Sequence, residues 1–297
     1  MKKILSMILT MVVMMTSAFA VAEEINVISR EDGSGTRGAF VELFGIEQKN
    51  EAGEKIDYTT DECDITNSTS VMMTSVAGNE NAIGYISLGS MNETVKALMI
   101  DGAEASVENI KAGIYNVARP FNIATLADVS EATADFIAFI MSAEGQAVIE
   151  ENGYIAVSDE AQPFEGGKVS GKIVIAGSSS VTPVMEKLTE AYKAVNANVE
   201  IELQQSDSSS GMTSTMDGVC DVGMASRELK ESELEAGLAP KVIAMDGIAV
   251  IVSNDNPVNA LTSDQVRGIY MGEITDWDEI GEHECAEPAE AGSEVNE

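Results

Sequence analysis

The chain has 297 residues, 44% of them hydrophobic, which excludes a disordered chain and leaves room for two lobes and a sizeable core. A formal charge of −33 excludes nucleic acid or an anionic membrane as a partner held by bulk charge. Three cysteines and one histidine fall at no metal-ligand spacing, so neither a metal nor a cofactor is expected.

Lys2 and Lys3, the apolar run Ile4 to Met15 and the small-residue site Ala18-Phe19-Ala20 read as a secretory signal peptide over residues 1–20. The apolar run is too short for a membrane span and no later segment is long enough, so the expectation is a soluble protein outside the cytoplasm. Losing residues 1–20 removes two lysines and no acid, taking the formal charge to −35. That acidic surface reads as a solvated face. Its repulsion is screened within about 8–10 Å at physiological salt, a range inside which local N–H donors act, so anion binding stays open.

Ile25, Val27 and Ile28 predict a strand, Gly33 to Thr36 a turn that only small residues allow, and Ala39, Phe40, Leu43 and Phe44 a helix at about 37–46. Glu47 to Asp64 reads as polar loop. Ser68 to Ala77 is a helix with Val71, Met72 and Val76 inward. Strands follow at Ala82–Leu88 and Val95–Ile100, then a short helix at Ser106–Ala112. Tyr115–Arg119 reads as a crossover strand ended by Pro120. Ala132–Asn152 predicts one helix with Phe136, Ile137, Ile140, Met141, Val148 and Ile149 in a stripe, stopped at Gly153. Ala156–Gly171 is a polar linker. Beyond it come a strand at Ile173–Ala176, a helix at Thr182–Val195, and strands at Val199–Leu203 and Val222–Ala225. An apolar stretch at Val242–Val252, broken at Gly247, precedes a helix at Ser263–Met271. Ile274–Ile280 holds Trp277, and 281–297 is an acidic tail. The alternation implies an α/β fold with largely parallel sheets. Cys220 reads as a core thiol. Cys63 and Cys285 are open to pairing in an oxidising compartment, though sequence does not fix connectivity.

The strand, small-polar loop and helix recur three times: INVISREDGSGTRGAF (25–40), KIVIAGSSSVTPVMEKL (172–188) and IELQQSDSSSGM (201–212). Each loop offers unpaired N–H groups, hydroxyls and the positive end of a helix dipole, which together make an anion cradle. One such loop is an ordinary N-cap; three can aim their helix ends at one point. Arg30 adds a charged fork suited to phosphate or carboxylate, its plainer alternative being a salt bridge to Glu31 or Asp32. GSGT and GSSS resemble nucleophile loops, but a serine nucleophile needs a base within reach and the lone His283 lies in the tail, so catalysis, phosphate-ester hydrolysis included, is not expected.

These loops, with DVGMASRELK, VIAMDGIAVIVSNDNPV, ITDWDEIG and FIAFIMSAEGQAVIEENGYIAV, resemble the phosphate-binding proteins that feed bacterial ABC phosphate importers. The resemblance spans nearly the whole chain after the signal. It implies a two-lobed periplasmic-binding-protein fold (type II) with a hinge of crossover strands. Phosphate would sit between the lobes on Ser179, Ser180, Ser208, Ser226, Arg30, Ser34, Gly35 and Thr36. The implied partners are inorganic phosphate and the permease subunits of an importer, with the protein a monomer. The segment order departs from the family: the stretch like 171–281 usually comes first, so the chain reads as circularly permuted. That order implies one lobe from 24–116 plus 255–297, which holds both Cys63 and Cys285, and a continuous second lobe from 117–254. Where many relatives carry an aspartate that accepts the proton of hydrogen phosphate, this chain has Ser226; rejection of sulfate then needs another acceptor, a backbone carbonyl or Asp246. Arg227 reads as a second contact or a pair with Glu228. A secreted phosphate sensor without a transporter would carry the same site.

Overall fold

The computed structural model describes residues 24–158 and 160–280. The signal peptide, Cys285, His283 and the acidic tail lie outside the described residues.

β1 (Asn26–Arg30) leads through a tight turn into α1 (Gly35–Leu43). β2 (Glu47–Lys49), β3 (Lys55–Asp57) and β4 (Asp64–Thr66) occupy the stretch expected as loop. Their side chains are mostly exposed, so no inward alternation marks them; pairing between β2 and β3, and between β1 and β4, defines them. α2 (Thr69–Ala77) follows, with Met72 and Val76 buried and Val71 exposed, then β5 (Ala82–Ser87) and a 3-10 turn at Leu88–Ser90. The single strand expected at 95–100 is split into β6 (Val95–Ala97) and β7 (Met99–Ile100), ahead of α3 (Val107–Lys111).

β8 (Ala118–Thr125) runs through Pro120 instead of stopping there. Its neighbour on one flank pairs only over Asn122–Ala124, so Pro120 has a side without a partner strand, where a missing N–H removes no ladder bond. The long helix expected at 132–152 is two: α4 (Glu131–Ile140) and α5 (Ala143–Glu151), bent by 58°. Ser142 causes the break. Its hydroxyl accepts the Gly145 N–H as an N-cap, which a periodicity of apolar residues does not reveal. Gly153 ends α5 at φ +81°.

β9 (Ile155–Ala156) precedes the linker, and β10 (Gly171–Ser178), α6 (Thr182–Val195), β11 (Val199–Ser206), α7 (Ser208–Met216) and β12 (Val222–Ala225) supply the second and third strand–loop–helix units. After α8 (Glu231–Glu235), β13 (Ala239–Ser253) is one unbroken strand. Gly247 does not interrupt it: a Cβ there would meet Ile110 Cδ1 at 2.7 Å, so the glycine serves close packing. β14 (Ala260–Leu261), α9 (Ser263–Tyr270) and a 3-10 turn at Trp277–Ile280 complete the described chain.

The main sheet has the order β11-β10-β12-β8-β13-β5-β1-β4, with β6 and β9 added to β13. Its two ends are parallel and its middle, β12-β8-β13-β5, is antiparallel. The first half of β13 pairs with β8 and its last residues with β5 and β6. One apolar core gathers residues from 25–117 and 248–280; another gathers 121–244. Ile248–Val252, expected in the continuous segment, therefore pack in the core built by both chain ends, because β13 crosses over before them. Those ends meet: the Ile25 N–H donates to Thr275 O at 2.7 Å. Cys220 is buried and Cys63 half-buried, and neither forms a disulfide among the described residues. Among the described residues no single helix is long and apolar enough to cross a membrane.

Candidate functional site

Four helix N-termini converge where the two cores face each other. α1 begins at Ser34, whose hydroxyl accepts the Arg37 N–H; α7 begins at Asp207, capping Ser210; α6 follows the Ser178–Val181 turn. The fourth is α2, capped by Ser68. Many of the serines and threonines at these ends are buried, with Thr36, Ser180, Ser208 and Ser226 at 1% exposure or below.

They are wired to one another across the seam. Thr36 Oγ1 lies 2.8 Å from Ser180 Oγ and 3.3 Å from Ser226 Oγ. Thr69 Oγ1 is 3.0 Å from Ser180 Oγ, and its N–H donates to Ser179 Oγ. The Ser226 N–H donates to Ser208 Oγ at 3.1 Å, while Ser178 Oγ donates to Ser226 Oγ at 3.0 Å. Gly35 is fixed by space: a Cβ would collide with Ser208 Oγ and come within 2.8 Å of Ser226 Oγ. The Ser209 N–H donates to Gly33 O at 3.2 Å, a backbone link across the seam.

All eight residues singled out in the sequence, Arg30, Ser34, Gly35, Thr36, Ser179, Ser180, Ser208 and Ser226, lie at this seam. Arg30 does both things its position suggests. Its Nε and Nη2 grip Glu31 at 2.8 Å each, and Nη2 also donates to Ser179 Oγ at 3.1 Å. Its Nη1 is buried without a hydrogen-bond partner. Arg37 braces this arm from behind, donating to Arg30 O and pairing with Asp57 and Asp32.

Three residues at the seam escape the sequence reading. Thr69 and Ser178 belong to Ser/Thr clusters of the kind already recognised, with STS at 68–70 opening a helix as a fourth such loop. Arg119 had no signal beyond its charge. It is buried, with Nη2 donating to Thr36 Oγ1 at 3.1 Å and Nη1 at 3.2 Å from Asp246 Oδ2. Burial lowers its hold on a proton, opposed by Asp246 and assisted by Arg30. Burial raises the Asp246 carboxyl to about 6, against the pull of Arg119 and the Gly89 N–H. Asp246 Oδ1 accepts the Gly89 N–H, while Oδ2 lies 3.2 Å from Arg119 Nη1 and is buried without a hydrogen-bond partner. Arg227 pairs not with the Glu228 side chain but bidentately with Glu233, at 2.9 and 2.8 Å, and donates to Ser209 Oγ. Among the described residues no cluster of His, Cys, Asp and Glu is arranged to hold a metal ion.

The buried guanidiniums of Arg30 and Arg119 both donate to seam hydroxyls, and four helix N-termini end among them. Such a site receives anions. On a two-core α/β frame crossed by β8 and β13, it defines a solute-binding protein of the two-lobed class. A family model for the PBP superfamily domain matches residues 16–144 and 162–295. The chain is similar to phosphate-binding protein PstS 2 of Streptococcus agalactiae, 57% identical over 257 residues that cover 86% of this chain and 87% of the relative. It matches phosphate-binding protein PstS of Pseudomonas aeruginosa at 30% identity over 144 residues, 43% of this chain and 45% of that one. A solved phosphate-binding protein of a phosphate ABC transporter from Streptococcus pneumoniae TIGR4 superposes with TM-score 0.68 at 44% identity, over 87% of this chain and all of the other. The chain belongs to the PBP superfamily and, within it, to the phosphate-binding proteins of bacterial ABC importers.

Proposed function

We propose that the seam binds inorganic phosphate through Arg30, Ser34, Gly35, Thr36, Ser179, Ser180, Ser208 and Ser226. The protein acts outside the cytoplasm as the monomeric binding subunit that hands phosphate to the permease of an ABC importer. The observation that carries this reading is the buried Arg30 guanidinium, aimed across the seam at Ser179 inside a shell of hydroxyls from both cores. Charge-assisted contacts to a buried fork hold an oxyanion in orientation as well as in place.

One lobe is the core built from 25–117 with 248–280 and the other the core of 121–244, joined where β8 and β13 pass between them; closure is a hinge motion there. The segment order is that of a circular permutation. Two findings support it: the S. agalactiae relative aligns over 86% of this chain and 87% of its own length, whereas the P. aeruginosa relative aligns over less than half of either chain. The bond from Ile25 to Thr275 closes the end-built lobe. The ligand leaves unchanged. Partners of the Ser179, Ser180 and Ser208 hydroxyls are N–H groups and other hydroxyls, none of them a base that would activate a nucleophile.

Calorimetric titration of the phosphate-stripped mature protein, with phosphate and then sulfate at neutral pH, tests this. One-to-one phosphate binding is expected. A cooperatively melting protein that binds neither ion ends the reading, and equal binding of both makes Ser226 the reason the ligand class widens.

A further inference from the structure

We propose that Arg119, held by Asp246, is a positioning residue of the anion site: it fixes the Thr36 hydroxyl as a proton donor toward the bound anion. The inference rests on the oxyanion-binding reading of the seam. Arg119 and Asp246 sit opposite each other in the antiparallel register of β8 and β13, on the strands that pass between the cores. From there Arg119 Nη2 reaches α1 and donates to Thr36 Oγ1 at 3.1 Å. Nη1 donates to Gly247 O at 3.3 Å and lies 3.2 Å from Asp246 Oδ2. Nε is buried without a hydrogen-bond partner. The guanidinium carbon stands 5.3 Å from the centre of the Phe121 ring, which backs it on one side.

The polarity of the contact with Thr36 follows from chemistry. A guanidinium donates and never accepts, so Thr36 Oγ1 must be the acceptor. Threonine has one hydroxyl proton. With a lone pair taken by Arg119, that proton turns toward the seam, where Ser180 Oγ and Ser226 Oγ stand at 2.8 and 3.3 Å. An anion among these groups needs donors, and Arg119 supplies one through Thr36 without touching the ligand. It also sets a second positive charge one hydrogen bond away. A strut between β8 and β13 would need no charge, because the strands already pair on both sides of this rung; a buried ion pair is a poor substitute for apolar packing as a stabiliser.

Asp246 sets how much of that charge the site feels. The groups around it are Arg119 from β8, Ser87 and the Gly89 N–H from the end of β5 and the turn after it, and Tyr154 ahead of β9; Arg30 acts on Arg119 from β1. Burial raises the Asp246 carboxyl to about 6. Above that pH the pair is neutral, and below it Arg119 stands uncompensated beside Thr36.

The test is calorimetric titration with inorganic phosphate from pH 5 to 8 of the wild type, Arg119→Met, Arg119→Lys and Asp246→Asn. Phosphate itself titrates in this window, so the readout at each pH is the ratio of variant to wild-type Kd, in which the ligand's protonation cancels. Arg119→Met should raise Kd about tenfold or more, and Arg119→Lys, which keeps one charge and a donor, should restore most of the loss. Asp246→Asn should give a ratio near one at pH 5, where the wild-type carboxyl is already protonated. At pH 8, with a negative charge removed from beside the anion, the variant should bind about threefold tighter or more. Wild-type affinity in Arg119→Met, or an Asp246→Asn ratio that is flat across the range, overturns the proposal. If Arg119→Met shows no cooperative melt, the Asp246→Asn ratio decides alone. A wild type that binds no phosphate fails at the first titration and overturns the reading of the seam itself, a result distinct from any change in ratio.

Discussion

The seam holds two guanidinium–carboxylate pairs built in opposite ways. Arg30 and Glu31 are neighbours in sequence, joined by two hydrogen bonds of 2.8 Å, with the carboxylate side chain 21% exposed. Arg119 and Asp246 are more than a hundred residues apart, joined by one ion contact of 3.2 Å, with both side chains buried. The first pair keeps its carboxylate partly exposed and joined by two short hydrogen bonds, and the arginine's Nη1, without a hydrogen-bond partner in the protein, is free for a ligand. In the second pair, burial works against both charges and the carboxylate titrates near neutral pH. A binding arm and a positioning arm are thus distinguished by how their counter-ions are solvated.

Removing the first arm should have the largest effect. Arg30→Met deletes the charge-assisted contact to the ligand and leaves Glu31 facing the anion; losses of this kind run to about 2–5 kcal/mol, roughly 30-fold in Kd and upward. Titration with phosphate checks it, and a loss smaller than that of Arg119→Met would invert the two roles.

The contrast between the pairs also explains what was legible in the sequence. Arg30, Ser34, Gly35, Thr36 and the serines of the other loops belong to local strand–loop–helix patterns, and local chemistry at helix ends dictates their place. Arg119 and Asp246 meet only through the pairing of β8 with β13, a non-local register that no spacing encodes. The same division runs through the fold. α6 and β12 were read at their observed bounds because apolar periodicity specifies them. β2, β3 and β4 were missed because exposed, charged side chains do not alternate and partner strands define them. Pro120 and Gly247 were misread as breaks because the reasons for tolerating them, an unpaired flank and close packing against Leu88 and Ile110, lie in neighbours distant in sequence.

The next largest effect concerns stability against pH. Asp246 binds its proton more tightly folded, at about 6, than at its ordinary value of 3.8. The folded state therefore takes up a proton between those values, and stability falls as pH rises through them, by at most about 3 kcal/mol. Asp57 and Glu233 are shifted the other way: burial opposes their charge, but hydrogen bonds and arginine partners prevail, so their contribution is lost as pH drops below about 4. The thermal midpoint should peak at about pH 4, where both trends meet. Asp246→Asn should flatten the limb between pH 4 and 6; an unchanged limb would assign that slope to the general relief of negative charge.

Closing the seam should be sensitive to a single methyl group. Gly35→Ala places a Cβ against Ser208 Oγ and Ser226 Oγ, the groups that Arg30 and Arg119 are positioned to work with. Overpacking of this kind costs about 1–3 kcal/mol, which corresponds to roughly 5- to 150-fold in Kd. Its effect should fall on phosphate affinity, with a thermal midpoint near that of the wild type, because neither apolar core is touched. A variant that melts early but binds normally would move the role of Gly35 from the seam to the folding of α1.

The smallest effect isolates the cores from the seam. Ser142 accepts the Gly145 N–H at 3.3 Å and donates to Phe139 O at 2.7 Å, holding α4 and α5 at their 58° bend inside the second core. Ser142→Ala removes the cap and leaves an amide at a helix start without its partner, a loss of about 1 kcal/mol. In a chain of this size that is roughly 2–4 °C of thermal midpoint. None of the hydrogen bonds of Ser142 reaches Arg30, Arg119 or the hydroxyls between them, so phosphate Kd should stay within about twofold of the wild type, as for distant, independent sites. A larger change would mean that the bend between α4 and α5 is transmitted through Ile243 and β13, which Gln146 contacts by donating to the Ile243 carbonyl at 3.2 Å, to Asp246 three residues on. The positioning arm would then be under the control of core packing, whereas the binding arm, fixed by its own neighbour in sequence, would remain outside it.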